Sequence, residues 1–312
     1  MKKTLVQFTC GIFMSALILE GTVRAISPLL GPPLTKWNTM EDAKILKFEE
    51  FRLTNSSPNY VFMGNSTTLI GLNPSVFDKN GSLPSGSSFN AAMNGSEIRQ
   101  IRDFACGYII KQIKPKNLVI LFSNVTMATD TNHIRLDAES TTVEKYSYIY
   151  RYRNTFRDPM TLNTFFRVIK YRDARQGLVY RWADNLDEFG YTKYKTTESA
   201  ITTPGWNPSQ TKWPNESQLS KIDRKGLKYL EEIRDLTFAN GGALIIGTVP
   251  TLSFDANYRG SIEMIAQQLG VKFVQGNDAL GQGKYFQDGV HLNLIGATKF
   301  SNFMSRELAK LP

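Results

Sequence analysis

This 312-residue chain has two histidines, His133 and His291. Histidine has the side chain best suited to act as a general base near neutral pH, so few positions in this chain are strong candidates for that role. His291 ends the motif Asp-Gly-Val-His at residues 288–291, about twenty residues before the last residue. Because Asp288 precedes His291 by three residues, its carboxylate can orient the imidazole ring within one turn. The motif predicts a carboxylate–imidazole pair, whereas His133, in a polar segment, is expected at the surface or in a cap rather than in catalysis.

A general base needs a nucleophile, and Ser66 is the candidate. It follows a short apolar run in the sequence Tyr-Val-Phe-Met-Gly-Asn-Ser at residues 60–66. A serine hydroxyl becomes nucleophilic when a base takes its proton and a third group fixes the tautomer of that base. Ser66, Asp288 and His291 supply these roles in the order Ser, Asp, His. Each also has a structural interpretation: Ser66 as a turn cap, Asp288 as a charge at a helix N-terminus, and His291 as a packed residue at a helix start.

The oxyanion formed by serine attack must be met by hydrogen-bond donors already in place. We predict three donors: the main-chain N–H at or just after Ser66, the N–H of Gly95, and the side-chain amide of Asn124. The alternatives are structural. Gly95 suits a backbone position with positive φ, and Asn124 suits a loop-capping amide.

Strand and helix signals alternate along the chain. Buried apolar runs predict strands at 60–63, 118–122, 243–249 and 271–274, separated by a loop at 78–89 and by helical patterns. The helical patterns run from the start signal of Asn94 and Glu97 to residue 113, and over 219–236, 261–269 and 294–311. Such alternation is typical of a three-layer α/β/α fold with a parallel sheet. Sites in these sheets lie beyond the carboxyl ends of the strands, where Ser66, Asn124 and His291 all fall.

An aromatic and basic stretch at residues 131–215 interrupts the alternation of strand and helix signals. We interpret it as an inserted helical cap, with aromatic rings packed inward and arginines in solvent. The alternative is that rings and guanidinium groups line a cleft for a sugar chain or an anionic headgroup. The α/β domain is then expected over residues 60–312, preceded by a proline-containing linker at 26–59.

The N-terminus has the regions of a secretory signal, with Lys2 and Lys3, an apolar stretch at 5–19, and small residues ending at Ala25. We predict export, with or without cleavage, and Ala25 marks the expected cleavage site. An uncleaved membrane anchor is the alternative, although the apolar run is short for a bilayer span. Cys10 lies in this segment, which leaves Cys106 alone and no intramolecular disulfide. Cys106 is expected to be a small buried hydrophobe, and nothing implies a metal or organic cofactor.

The formal charge is +9, and removing the net +2 of residues 1–25 leaves +7. This excess suits polyanionic glycans, anionic lipids or nucleic acid. Predicted export argues against nucleic acid.

Taken together, these motifs resemble the SGNH, or GDSL-type, hydrolase superfamily. Gly-Asn-Ser at 64–66 stands where that family has Gly-Asp-Ser, and residues 288–291 match its Asp-x-x-His block. Gly95 stands for its second-block glycine, and Asn124 for the asparagine of its Gly-x-Asn-Asp block. The run at 64–74 is similar to the form found in branches related to alginate O-acetyltransferases and the teichoic-acid D-alanylation protein. The chain departs from the family at Asn65, where the usual residue is Asp, and at the third block, which lacks its glycine and its acid.

The resemblance implies an exported serine esterase or O-acyltransferase with a flavodoxin-like fold and a Ser66–His291–Asp288 triad. Its expected substrate is an acylated glycan or small ester, and a membrane-bound acyl-donor protein is an expected partner. The alternative is a non-catalytic polysaccharide-binding accessory protein on a degenerate scaffold.

Overall fold

The computed structural model describes residues 2–30, 43–45, 47–48, 50–51, 57–123, 147, 149, 185–192, 224–252, 256–276, 279–280 and 283–311. The chain divides into two compact units. The first contains residues 1–42 and 134–182, and the second contains residues 43–133 and 183–312. The second unit carries the sheet and every described residue of the predicted site.

Within the described residues, the second unit has one sheet of five parallel strands. The strands are β1 (Tyr60–Met63), β2 (Ser88–Asn90), β3 (Asn117–Phe122), β4 (Ala243–Thr248) and β5 (Lys272–Val274). Their order across the sheet is β2-β1-β3-β4-β5. This is the order of flavodoxin-like folds. Because Val61 is in register with Phe89 on one side and Leu118 on the other, the carboxyl ends of the three strands lie along one edge.

Helices alternate with the strands in sequence. They are α1 (Lys2–Leu30), α2 (Ser66–Gly71), α3 (Pro74–Asn80), α4 (Ile98–Phe104), α5 (Arg224–Ala239), α6 (Ala256–Leu269) and α7 (Leu294–Ala309). A π-helical segment, Ala105–Ile113, continues α4, and a short 3-10 helix, Gly283–Tyr285, precedes the hairpin described below. Helices α4, α5 and α6 form one layer, and α2, α3 and α7 form the other. The three-layer α/β/α architecture predicted from the sequence is confirmed.

The alternation of side chains along β3 shows how both faces of the sheet are covered. Val119 and Leu121 join the core cluster that includes Phe77 of α3 and Phe300 of α7. Successive strand residues point to opposite faces, so the buried Leu118 and Ile120 face the other helical layer. Burial on both faces explains why β3 is an uninterrupted apolar run.

The structure corrects several element boundaries. Strand β2 and helices α2 and α3 were not predicted, and β2 overlaps the end of the segment expected to be a loop at 78–89. Helix α4 begins at Ile98 with Glu97 as its N-cap, not at Asn94, because Gly95 has φ of +67°, which no helix accommodates. The Glu97 N–H donates a hydrogen bond to Gln100 Oε1 at 3.1 Å.

The packed part of the second unit also begins before Tyr60. Described residues between 43 and 51 have helical backbone, and Ala43, Lys44, Phe48 and Phe51 are buried. Aromatic contacts explain this burial, since the Phe48 ring lies 4.7 Å from that of Phe89. The linker expected over 26–59 is therefore too long. Of the expected insertion at 131–215, only residues 147, 149 and 185–192 are described, and the rest of the expected cap lies outside the described residues.

In the first unit, α1 contains a stretch, Gln7–Ile26, that is long and apolar enough to cross a membrane. Most of its side chains are exposed, and a signal sequence has the same properties. Glu20 within it accepts hydrogen bonds from the Ser147 hydroxyl (2.9 Å) and the Ile149 N–H (3.1 Å).

Candidate active site

The candidate nucleophile lies in a tight connection between β1 and α2. Two residues, Gly64 and Asn65, make this connection. The connection has no room for a side chain at Gly64, because a Cβ there would clash with the Thr68 hydroxyl and lie 2.7 Å from the Leu121 carbonyl oxygen. Asn65 is the N-cap of α2, and its Oδ1 accepts hydrogen bonds from the Thr67 N–H (3.0 Å) and hydroxyl (2.7 Å). Ser66 is thereby fixed at the N-terminus of α2, beyond the carboxyl end of β1.

The Asn65 amide also joins this connection to the end of β3. Its Nδ2 donates a hydrogen bond to Ser123 Oγ at 2.6 Å, and both side chains are buried. Asn65 is one of the positions at which the chain departs from the family motifs, and this hydrogen bond gives the departure a physical role. The Asn65 amide links the connection after β1 to the end of β3.

The candidate base is carried by a hairpin directly before α7. The Asn293 N–H donates to the Tyr285 carbonyl (2.9 Å), and the Gln287 N–H donates to the His291 carbonyl (3.0 Å). Asn293 then serves as the N-cap of α7, accepting a hydrogen bond from the Gly296 N–H at 2.9 Å. The hairpin is therefore anchored at its base and presents residues 288–291 at its tip.

The structure brings Ser66, Asp288 and His291 together in one hydrogen-bonded row. Asp288 Oδ1 accepts hydrogen bonds from the backbone N–H groups of Val290 (2.8 Å) and His291 (2.7 Å), which fixes the carboxylate. Its Oδ2 lies 2.7 Å from His291 Nδ1, and His291 Nε2 lies 2.9 Å from Ser66 Oγ. A carboxylate can only accept, so Nδ1 carries the proton and Nε2 is left to accept from the serine hydroxyl.

The environment favours the ionised form of Asp288. Burial raises the pKa of this carboxyl, but hydrogen bonds from the His291 ring and from the backbone N–H groups of His291 and Val290 outweigh it, so the pKa lies below its ordinary value. The His291 and Asp288 side chains remain 20% and 44% exposed. A substrate can therefore reach the row from solvent.

Two candidate oxyanion donors are the backbone N–H groups of Ser66 and Gly95. Residues after β2 run alongside the nucleophile connection, because the Met93 N–H donates to the Gly64 carbonyl at 3.1 Å. Gly95 follows in a left-handed turn, and a Cβ there would meet nothing within 4 Å. Within the described part of the chain, the N–H groups of Ser66 and Gly95 have no acceptor. Donors left unpaired in this way are available to an oxyanion.

The structure provides less information on the remaining residues considered in the sequence analysis. Asn124 and His133 lie outside the described residues. Cys106 is partly buried, and burial raises the pKa of its thiol to about 11, which agrees with a packing role. No cluster of metal-ligating side chains occurs among the residues that the structure describes.

Comparisons with known proteins give structural likeness only. No protein-family model matches the chain, and a search of curated proteins finds no match. Among solved structures, a GDSL-like lipase from Bacteroides thetaiotaomicron is similar over 88% of this chain and 100% of its own, with 13% identity and a TM-score of 0.42. A carbohydrate acetylesterase from Sinorhizobium meliloti is similar over 81% of this chain and 100% of its own, with 8% identity and a TM-score of 0.40.

Proposed function

We propose that the chain is an SGNH-type serine hydrolase, an exported esterase or O-acyltransferase that acts on acyl esters of a cell-envelope or extracellular glycan. The observation that carries this proposal is the row from Asp288 through His291 to Ser66, with both contacts within hydrogen-bond distance. Three side chains from two distant parts of the sequence meet in the roles that acyl transfer needs.

In the proposed mechanism, Ser66 Oγ attacks the acyl carbonyl carbon while His291 Nε2 takes the hydroxyl proton. Asp288 holds the ring and stabilises the imidazolium that forms. The N–H groups of Ser66 and Gly95, with the Asn124 amide, bind the oxyanion. His291 then returns the proton to the departing alcohol oxygen, which leaves an acyl ester on Ser66.

The second half of the reaction decides between hydrolysis and transfer. Water gives the free acid, whereas a sugar hydroxyl gives a new ester, and His291 activates either one by the same proton transfer. The two outcomes share every residue of the triad. Hydrolysis and transfer are distinguished by incubating the acyl-enzyme with and without a glycan acceptor and measuring the amounts of free acid and of acylated glycan.

A glycan substrate is supported by the surface at the base of the hairpin. Lys284 and Lys299 lie 5.3 and 5.0 Å from the centre of the Tyr285 ring. A hydrogen bond from Lys299 lowers the pKa of the Tyr285 phenol, against a smaller opposing effect of burial. Two cations held beside an aromatic ring suit contact with the anionic groups of a glycan. Export is supported by the apolar stretch of α1, whether that stretch is a signal or an anchor.

Covalent labelling tests the proposal. We expect a fluorophosphonate probe to label the full-length protein and to fail with Ser66→Ala. The matched control is Ser75→Ala, which removes an exposed serine of α3 and should leave labelling unchanged. If the wild type is not labelled while His291→Ala binds glycan as well as the wild type does, the non-catalytic accessory function is favoured instead.

A further inference from the structure

Lys44 is a completely buried lysine outside the catalytic row. It lies in the helical segment before β1, and none of its surface reaches solvent. Lysine is almost never fully buried unless it is paired, because an ammonium group loses its hydration. No ion pair of Lys44 forms among the described residues. Its Nζ donates instead to two backbone carbonyl oxygens, at 2.6 Å to Asn90 and at a shorter distance to Gly190.

These two carbonyls belong to the outer edge of the sheet. β2 is an edge strand, and its last N–H, on Asn90, donates to the Phe189 carbonyl at 2.9 Å. The neighbouring carbonyls of Asn90 and Gly190 are both acceptors and cannot bond to each other. The Lys44 Nζ supplies the missing donor between them. Gly190 is required for this approach, since it has φ of +76° and a Cβ there would lie 2.8 Å from the Phe89 ring.

Asn90 connects this edge to Ser66. Its Nδ2 donates to the carbonyls of Thr68 (3.0 Å), Leu69 (3.3 Å) and Leu72 (2.8 Å), at the end of the helix that begins with Ser66. The end of a helix leaves its last carbonyls without an intrahelical partner, and Asn90 serves this end, where the Thr68 carbonyl also accepts from the Leu72 N–H at 3.0 Å. Asn90 thus fixes α2 from its far end.

Asn90 also sets the path of the chain towards Gly95. Its Oδ1 accepts a hydrogen bond from the Ala92 N–H at 3.0 Å. The next residues pair with the extension of β1, through the Ala91 N–H to the Phe62 carbonyl (2.8 Å) and the Met93 N–H to the Gly64 carbonyl. The same residue therefore locates both the nucleophile helix and the segment that leads to the candidate oxyanion donor.

We propose that Lys44 is a positioning residue for acyl transfer, which holds the Asn90 carbonyl and thereby sets the Gly95 N–H relative to Ser66. This role rests on the proposed function. Burial lowers the pKa of Lys44 to about 7, against the opposing charge of Asp187. Either protonation state retains the two N–H groups that the two carbonyls need.

The test is Lys44→Met, which keeps the length and burial of the side chain but removes the donor. The matched control is Lys47→Met, which removes a lysine of the same segment that pairs with Glu50. Ile233→Ala, a buried change on α5 far from the row in sequence, controls for lost stability. Hydrolysis of p-nitrophenyl acetate is measured and divided by the concentration of Ser66 titrated with fluorophosphonate.

We expect kcat per titrated site to fall about tenfold to a hundredfold in Lys44→Met, with KM within about twofold, because a displaced oxyanion donor acts in the transition state. Both controls should keep the wild-type kcat per site. If Lys44→Met keeps it too, Lys44 only stabilises the fold and the proposal is wrong. Should Lys44→Met not fold, Lys44→Gln, whose shorter amide reaches one carbonyl, is expected to show an intermediate loss, and unchanged kcat would again refute the role. An unlabelled wild type would refute the proposed function and this role with it.

Discussion

Replacing Asp288 by asparagine tests whether the row is a working triad or a packing arrangement. Asparagine keeps an oxygen for the backbone N–H groups of Val290 and His291, so the turn at 288–291 should survive. Its Nδ2 would face His291 Nδ1, however, at the position where the carboxylate oxygen now lies 2.7 Å away. A donor there forces the ring proton onto Nε2, which then points at Ser66 Oγ and cannot accept its proton.

The size of this effect follows from the tautomer. The corresponding change in a serine protease lowers kcat by about 10⁴-fold, because a correctly placed ring in the wrong tautomer is no base. We expect a fall of about 10³- to 10⁴-fold in kcat for p-nitrophenyl acetate in Asp288→Asn, with a melting temperature close to that of the wild type. Activity within about tenfold of the wild type, in a folded variant, would contradict the assigned roles.

Three further predictions concern the surroundings of the row. Between pH 7 and 9 the unfolded chain binds the proton of Lys44 that the folded protein has released, so the free energy of unfolding measured in urea should rise with pH, by up to about 1.4 kcal/mol per pH unit, and Lys44→Met should flatten this rise. Above pH 9 the raised pKa of Cys106 acts in the opposite direction. Gly64→Ala places a methyl group 2.7 Å from the Leu121 carbonyl oxygen, and we expect a loss of about 1–3 kcal/mol in urea unfolding together with slower fluorophosphonate labelling; a variant equal to the wild type in both would contradict the close approach. With a thiol pKa near 11, Cys106 should react with iodoacetamide at pH 8 about a hundredfold more slowly than a free thiol, and reaction at the free-thiol rate would show that it is not packed.

The sequence predicted the parts of the site that depend on local pattern. Strands β1, β3 and β4 are apolar runs because the sheet is covered on both faces, and such runs can be recognised without a structure. The scarcity of histidine singled out His291, and its spacing from Asp288 corresponds to the turn that the two residues form. Ser66 was found because a glycine and a capping residue follow a strand.

The parts that were missed depend on neighbours distant in sequence. Strand β2 has three residues, two of them polar, and it is recognisable only by its pairing with β1. The bond between Asn65 and Ser123 exists because β1 and β3 are adjacent. Nothing in the local sequence of Lys44 indicates burial, since its hydrogen-bond partners lie 46 and 146 residues away.

The central claim is that Ser66 forms a covalent acyl intermediate under the control of His291. The most direct measurement is peptide mass mapping after the full-length protein is mixed with p-nitrophenyl acetate and quenched in acid. We predict one acetyl group on the peptide that contains Ser66, and none on that peptide in His291→Ala. An acetyl group on a different residue, or equal acetylation of Ser66 without His291, would contradict the account.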